Sequence, residues 1–189
     1  AKIIYVFNNK STFMWMMLVT LEKKYALTWD VFELHYKLPE VKTMKPGQFI
    51  TFILPWIGGR SYSILEIEND IAVLIIKKWE KEDGGRWWSA ALCDAVIWDE
   101  FKAVWPAGHF VLQENSDNKL FLWTGTWLVP LYNQILEWLK KDSNEKYMLV
   151  FWVRHTSDMF YSEKFEKLKI RYSHRFNYQL FTSRSEEED

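Results

Sequence analysis

The sequence holds a single cysteine, Cys93, which excludes a disulfide framework within this chain and any thiolate set for zinc or an iron–sulfur cluster. A reducing, cytoplasmic setting is the corresponding expectation. The histidines, His35, His109, His155 and His174, stand without a second ligand at metal spacing, so no metal site is expected. No apolar run approaches the roughly 20 residues that cross a bilayer, so no membrane span is expected. The stretch 13–19 behind Lys2 and Lys10 has the outline of a signal sequence. No small-residue cleavage site follows it, and a first strand is the better reading. A formal net charge of -1 carries no polyanion signature, which argues against nucleic acid or an anionic membrane as partner. Glycine is scarce too: the chain has 7 Gly against 12 Trp, whereas glycine ordinarily makes up about 7% of residues and outnumbers tryptophan severalfold.

What is present is ordinary globular material, 49% hydrophobic and 26% charged over 189 residues, enough for one large domain or two small ones. Residues 1–12 carry no clear period and read as a loose terminus. Short strands are expected at 16–22, 31–38, 49–54, 60–66 and 71–77. The second alternates Phe32, Leu34, Tyr36 and Leu38 against Glu33, His35 and Lys37, the pattern of a half-buried antiparallel strand. Pro39 ends it, and Lys45-Pro46-Gly47 turns the chain. Ser89 is placed to cap a short helix through Ala90, Ala91, Leu92 and Cys93. Strands at 101–105 and 109–113 flank Pro106-Ala107-Gly108 and would close an antiparallel barrel.

The pattern changes after the polar linker Glu114-Asn115-Ser116-Asp117-Asn118. Leu120-Phe121-Leu122-Trp123 is continuously apolar, as in a parallel strand covered on both faces. Thr124-Gly125-Thr126-Trp127 then turns into a helix over 128–140, with Leu131, Ile135, Leu136 and Leu139 on one face and Pro130 in its first turn. A strand at 147–153, a helix at 162–169 and a strand at 178–183 complete a β-α-β-α-β order, hence a parallel sheet with right-handed crossovers. Three strands leave an open edge, so this half is expected to be incomplete.

The clearest chemistry lies in Arg60-Ser61-Tyr62-Ser63. Alternation sends Arg60 and Tyr62 to one side and Ser63 to the other, unless the strand twists or ends there and aims all three at one ligand. A guanidinium pairs with two phosphate oxygens, and a phenol ring offers a flat face to a heterocycle. Together they suit a flavin nucleotide; the plain alternative is an edge strand with a solvated Arg and a half-buried Tyr. Downstream, Gly84-Gly85-Arg86 leads to Ser89, whose helix would turn free amides toward an anion.

With Arg-x-Tyr-Ser, a glycine-rich loop before a serine-led helix, and an α/β half opening on Thr-Gly-Thr in this order, the chain resembles the ferredoxin reductase family from about Leu21 to Ser183. The resemblance implies an FAD-binding, Greek-key antiparallel β-barrel over 1–114. A parallel, three-layer α/β domain binding NAD(P) over 119–189, truncated at its C-terminal end, would follow. It further implies that Arg60 meets the flavin pyrophosphate, while Tyr62, stacking on the isoalloxazine, and Ser63, near its N5, act in catalysis. Gly84, Gly85 and Ser89 match the second flavin motif. Thr124, Gly125, Thr126 and Pro130 match the pyridine-nucleotide loop, where Trp127 replaces the second glycine. Arg154 would touch the nucleotide's phosphate or ribose side, though a solvated strand-end Arg fits as well. Tyr161 reads more simply as an aromatic packing at a helix start, and Cys93, without a His partner, as a packing residue.

The implied activity is that of an FAD-dependent oxidoreductase passing hydride from NAD(P)H to flavin, and electrons to ferredoxin or a similar electron-carrier protein. A second reading is a flavin-binding electron-transfer subunit that binds no pyridine nucleotide, which an indole at 127 favours. A third is a module that keeps only the fold. The tryptophans bear on the choice. Trp88, Trp98, Trp105, Trp123, Trp127 and Trp152 fall at or beside turns and phosphate loops, where glycine is the residue expected. Counted together, the 12 Trp and 7 Gly come close to an ordinary glycine content with few tryptophans. The expectation is a gene that reads UGA as glycine, translated as though UGA meant tryptophan.

Overall fold

The period-two patterns of the first half become antiparallel strands in the computed structural model, which describes residues 3–5, 14–40, 44–55, 58–79, 88–112 and 117–184. These are β1 (Ile3–Tyr5), β2 (Met14–Ala26), β3 (Val31–Lys37), β4 (Phe49–Leu54), β5 (Gly58–Glu68), β6 (Ile71–Lys77) and β7 (Glu100–Ala107), with α1 (Trp88–Cys93) between the last two. The order β2-β3-β6-β5-β4-β7 closes on itself because β7 pairs with both β4 and β2, giving a six-stranded antiparallel barrel. Closure gives every barrel strand a neighbour on both sides along at least part of its length.

Two expectations are corrected. The first residues are not loose throughout, since Ile3–Tyr5 pairs antiparallel with the start of β2. Residues 109–112 form no strand. The barrel is already closed by β7, and Gly108 turns the chain away at φ +102. The carbonyl of Phe110 accepts a hydrogen bond from the Gln134 side chain at 2.7 Å instead of from a strand.

β6 explains how the halves join. Ala72, Leu74 and Ile76 point into the barrel core with Leu34, Tyr36, Ile50 and Phe52. Val73 and Ile75 point outward into a second core. An apolar strand with both faces covered needs a neighbouring layer, and each Leu or Ile buried in this way contributes roughly 1.5–3 kcal/mol. That layer is α2 (Leu128–Leu139), which follows β8 (Lys119–Thr124) through a 3-10 turn, Gly125–Trp127.

Every residue from Leu128 to Ile135 is buried, because α2 lies between the barrel and its own sheet. Polar residues on the barrel side are tied to barrel backbone: Asn133 Nδ2 donates to the Ile64 carbonyl at 3.1 Å, and Gln134 to Phe110. Gly47 makes this approach possible. Its φ is +91, and a Cβ there would lie 1.8 Å from the Phe110 oxygen.

The second sheet, order β10-β9-β8 and parallel throughout, uses β9 (Tyr147–Val153) and β10 (Phe176–Thr182), with α3 (Ser162–Arg171) crossing between them. Buried Arg175 donates to the carbonyls of Trp138, Leu139 and Lys141. A cation thereby meets the unsatisfied end of α2, where the helix dipole favours positive charge.

Candidate functional site

β5 pairs with β4 from Gly58 to Ser63 but with β6 only from Ile64 onward. Its edge before Ile64 is therefore open on the β6 side. Ser61, Tyr62 and Ser63 all border one cleft of about 530 Å³ at that opening, although neighbours on a flat strand would face opposite ways. The cleft is completed by Trp88 and Ser89 of α1, and by Thr126, Trp127, Val129 and Pro130 where α2 begins.

A second cleft, of about 250 Å³, adjoins it at the C-terminal ends of β8 and β9. This is the place where open parallel sheets take ligands. Thr124, Gly125, Thr126 and Arg154 border it, with Asp30, Lys77 and Asp158. Lys77, Trp79, Thr126 and Trp127 border both clefts.

Gly125 enters the 3-10 turn at φ +58, a conformation that favours glycine. Lys77 Nζ lies 2.5 Å from Oδ2 of the buried Asp30, whose other oxygen accepts a bond from the Thr28 hydroxyl at 3.0 Å. The Arg60 side chain bends back: Nη1 donates to the Gly59 carbonyl at 2.5 Å, and Cζ sits 2.9 Å from the centroid of the Trp88 ring. Its Nε is buried without a hydrogen-bond partner among the described residues.

No protein-family model and no curated protein matches this sequence. The fold, however, is widely shared among solved structures. A cytochrome P450 reductase of Amycolatopsis, GcoB, superposes with a TM-score of 0.79 at 18% identity, covering 90% of this chain and 54% of that one. Ferredoxin-NADP+ reductase from Plasmodium falciparum superposes with a TM-score of 0.76 at 18% identity, covering 92% and 75%. A flavohemoglobin from Malassezia yamatoensis, solved with bound FAD and heme, gives 0.75 at 16% identity, covering 92% and 46%. The fold is that of the ferredoxin reductase family. The chain spans from about half to three quarters of the length of these proteins.

Within this ferredoxin reductase fold, the structure brings Tyr62, Ser63 and Ser89 to one cleft and Thr124, Gly125, Thr126 and Arg154 to the other, with Thr126 in both. Arg60 borders neither and stands behind Trp88. Gly84 and Gly85 lie outside the described residues. Ser89 does not cap α1: it lies inside the helix, and its hydroxyl accepts a bond from the Trp79 amide at 2.9 Å. Burial pushes the Tyr62 phenol up to about 12, with Cys93 adding to the shift and Arg60 opposing it. At neutral pH Tyr62 is thus an uncharged ring. Burial likewise pushes the Cys93 thiol up to about 12, and its Sγ lies 3.9 Å from the Ile76 carbonyl, so it is a packing residue and not a nucleophile.

Sequence reasoning missed Lys77, Asp30 and Trp79. A lysine closing an otherwise apolar strand was the available signal, but it reads equally well as a solvated strand end.

Proposed function

We propose that this chain is an FAD-dependent oxidoreductase, with a flavin-binding barrel over 1–114 and an NAD(P)-binding α/β domain over 119–189. It would take hydride from NAD(P)H and hand electrons to a carrier protein such as ferredoxin. The observation that carries the reading is the meeting of two clefts across Lys77 and Thr126, one bordered by the Arg-x-Tyr-Ser strand and the other by the Thr-Gly-Thr turn. The residues fit a flavin nucleotide: the Tyr62 ring borders the first cleft, and against Trp88 the Arg60 guanidinium has a buried Nε, without a hydrogen-bond partner among the described residues, that an anion would satisfy.

When bound, the flavin supplies the hydride and electron chemistry. Tyr62 would lie against the ring, and its raised phenol keeps charge away from it. Ser63 would hold a hydroxyl near the reacting edge, and Arg60 would pair with phosphate. Thr124, Gly125 and Thr126 would receive the pyridine nucleotide, with Arg154 on its phosphate or ribose side and Lys77 at the junction. Holding both partners at near-attack distance is the rate advantage such residues confer.

A flavin-binding electron-transfer subunit without pyridine nucleotide is the second reading, favoured by the 72% exposed Trp127 in the nucleotide turn. No helix among the described residues is long and apolar enough to cross a membrane, and we expect the protein to work in the cytoplasm. Anaerobic addition of NADH or NADPH to the flavin-loaded protein tests the proposal. Bleaching of the flavin absorbance supports the enzyme, a yellow protein that neither nucleotide reduces supports the subunit, and failure to take up flavin removes both.

A further inference from the structure

Trp98 adopts φ +82. The Asp99 amide donates to the Val96 carbonyl at 3.0 Å, so Trp98 is the third residue of a four-residue turn, the position where a type II turn requires positive φ and takes glycine. The conformation is imposed from outside, because the Trp98 amide donates to the Leu21 carbonyl at 2.7 Å and the Leu21 amide to Asp99 at 2.9 Å. The indole offers nothing in return, being 71% exposed. Trp127, directly before the buried helix α2, has an ordinary helical backbone at φ -66 but shares the exposure, with 72% of its surface in water. Trp88 places its ring centroid 2.9 Å from Arg60 Cζ, so the guanidinium carbon lies over the ring at less than the roughly 3.5 Å at which stacked planes rest.

Large aromatic residues belong in cores, and singly exposed ones are unremarkable. Here three depart from that in ways glycine would repair: a backbone only glycine adopts freely, an overpacked cation, and an exposed indole at the junction of two clefts. Of the others noted in the sequence, Trp152 is 39% exposed beside Trp127. Trp105 and Trp123 instead bury indole N–H groups without a hydrogen-bond partner among the described residues.

We propose that Trp88, Trp98 and Trp127 stand at positions that are glycine in the functioning protein, encoded by UGA, and that the Trp127 indole walls the flavin cleft off from the nucleotide cleft, which glycine would join. Glycine at 88 also frees Arg60 to reach an anion at the first cleft. The half of this inference that concerns the clefts rests on the proposed flavin function; the half that concerns Trp98 does not.

The experiment has three arms. The gene is sequenced and the protein from its own source is digested and weighed: UGA codons with glycine-mass peptides at 88, 98 and 127 are expected, and UGG codons or tryptophan-mass peptides overturn the proposal. In the chain as written, Trp98→Gly is compared with Trp98→Ala. Glycine is expected to raise the melting temperature by about 2–4 °C and alanine to raise it less, since alanine keeps the Cβ that positive φ disfavours. Equal effects would mean that lost bulk and not backbone strain is at work, which overturns the Trp98 half. Finally, Trp88→Gly/Trp127→Gly is titrated with FAD and then NADPH, with about tenfold tighter flavin binding and faster bleaching expected. If Trp98→Gly stabilises and the codons are UGA while FAD still does not bind, the flavin function falls and the recoding stands.

Discussion

Tyr161 donates its phenolic proton to the Glu33 carboxylate, tying the start of α3 to β3 of the barrel across 128 positions of sequence. His35 Nε2 lies 2.7 Å from the other Glu33 oxygen, and Lys164 Nζ is 3.5 Å from the oxygen that accepts from Tyr161. Neither half could hold this carboxylate alone, because two partners come from α3 and its start and one from β3. Tyr161 itself sits at φ +66 as the residue before α3, where a side chain is tolerated only if something fixes it.

Breaking that bond should be costly to stability while leaving the clefts intact. Tyr161→Phe is expected to lose about 1–3 kcal/mol, since it strips a half-buried carboxylate of a donor. Urea unfolding followed by tryptophan fluorescence measures it. A loss below about 0.5 kcal/mol would show that Lys164 and His35 suffice.

The same cluster sets an acid limit. Burial alone would raise the Glu33 carboxyl, but bonds from Tyr161 and His35 and the Lys164 charge outweigh it and hold the group below its ordinary 4.5. A depressed folded-state pKa means the unfolded chain binds the proton more readily. The contribution is therefore complete well above pH 4.5 and lost as pH falls below it. Stability measured against pH should drop less steeply between about 5 and 3 in Glu33→Gln than in the parent.

Two glycines with positive φ should answer differently to the same change. Gly125→Ala meets open space and carries only the backbone penalty, about 1–2 kcal/mol. Gly47→Ala adds a Cβ 1.8 Å from the Phe110 backbone oxygen and should cost about 3 kcal/mol or more, because the segment after β7 must shift to admit it. Comparing the two denaturation midpoints checks the order, and equal midpoints would mean the 47–110 contact carries no constraint.

In the Trp88→Gly background, where Arg60 is free to reach the first cleft, Arg60→Ala is expected to weaken flavin retention by about tenfold or more, as loss of a charge-assisted phosphate contact of roughly 1.5–3 kcal/mol implies. Fluorescence titration with FAD reads it. Unchanged affinity would take Arg60 out of the site.

Lys77→Met leaves Asp30 buried without its cation. About 1–3 kcal/mol is the expected loss, less than for a fully buried pair because the Lys77 side chain stays 34% exposed. Adding Asp30→Asn should restore part of it, since the uncompensated charge then disappears. Thermal melts of the single and double variants decide.

The elements were legible in the sequence wherever period and punctuation agree. The strands at 49–54, 71–77 and 147–153 coincide with β4, β6 and β9, and α2 ends within a residue of the expected 128–140. Alternation and short turns act over a few residues, so one chain segment carries the information. The order of Arg60, Tyr62, Ser63, Ser89 and the Thr124 turn resembles that of the ferredoxin reductase family, and it was this resemblance that pointed to the fold.

What tertiary structure decided depends on groups far apart in sequence. Residues 109–112 have a strand's apolar residues but no free edge to join, because β7 had closed the barrel. Ser61, Tyr62 and Ser63 share a cleft because β6 leaves β5 unpaired there, which no pattern within β5 records. Ser89 looked like a cap, yet its hydroxyl is taken by Trp79. Asp30 and Lys77, separated by most of the barrel in sequence, become a buried pair only when β3 and β6 align. Local periodicity specifies which face of an element is apolar; which neighbour covers that face, and which polar groups are thereby brought together, is settled only when the layers pack.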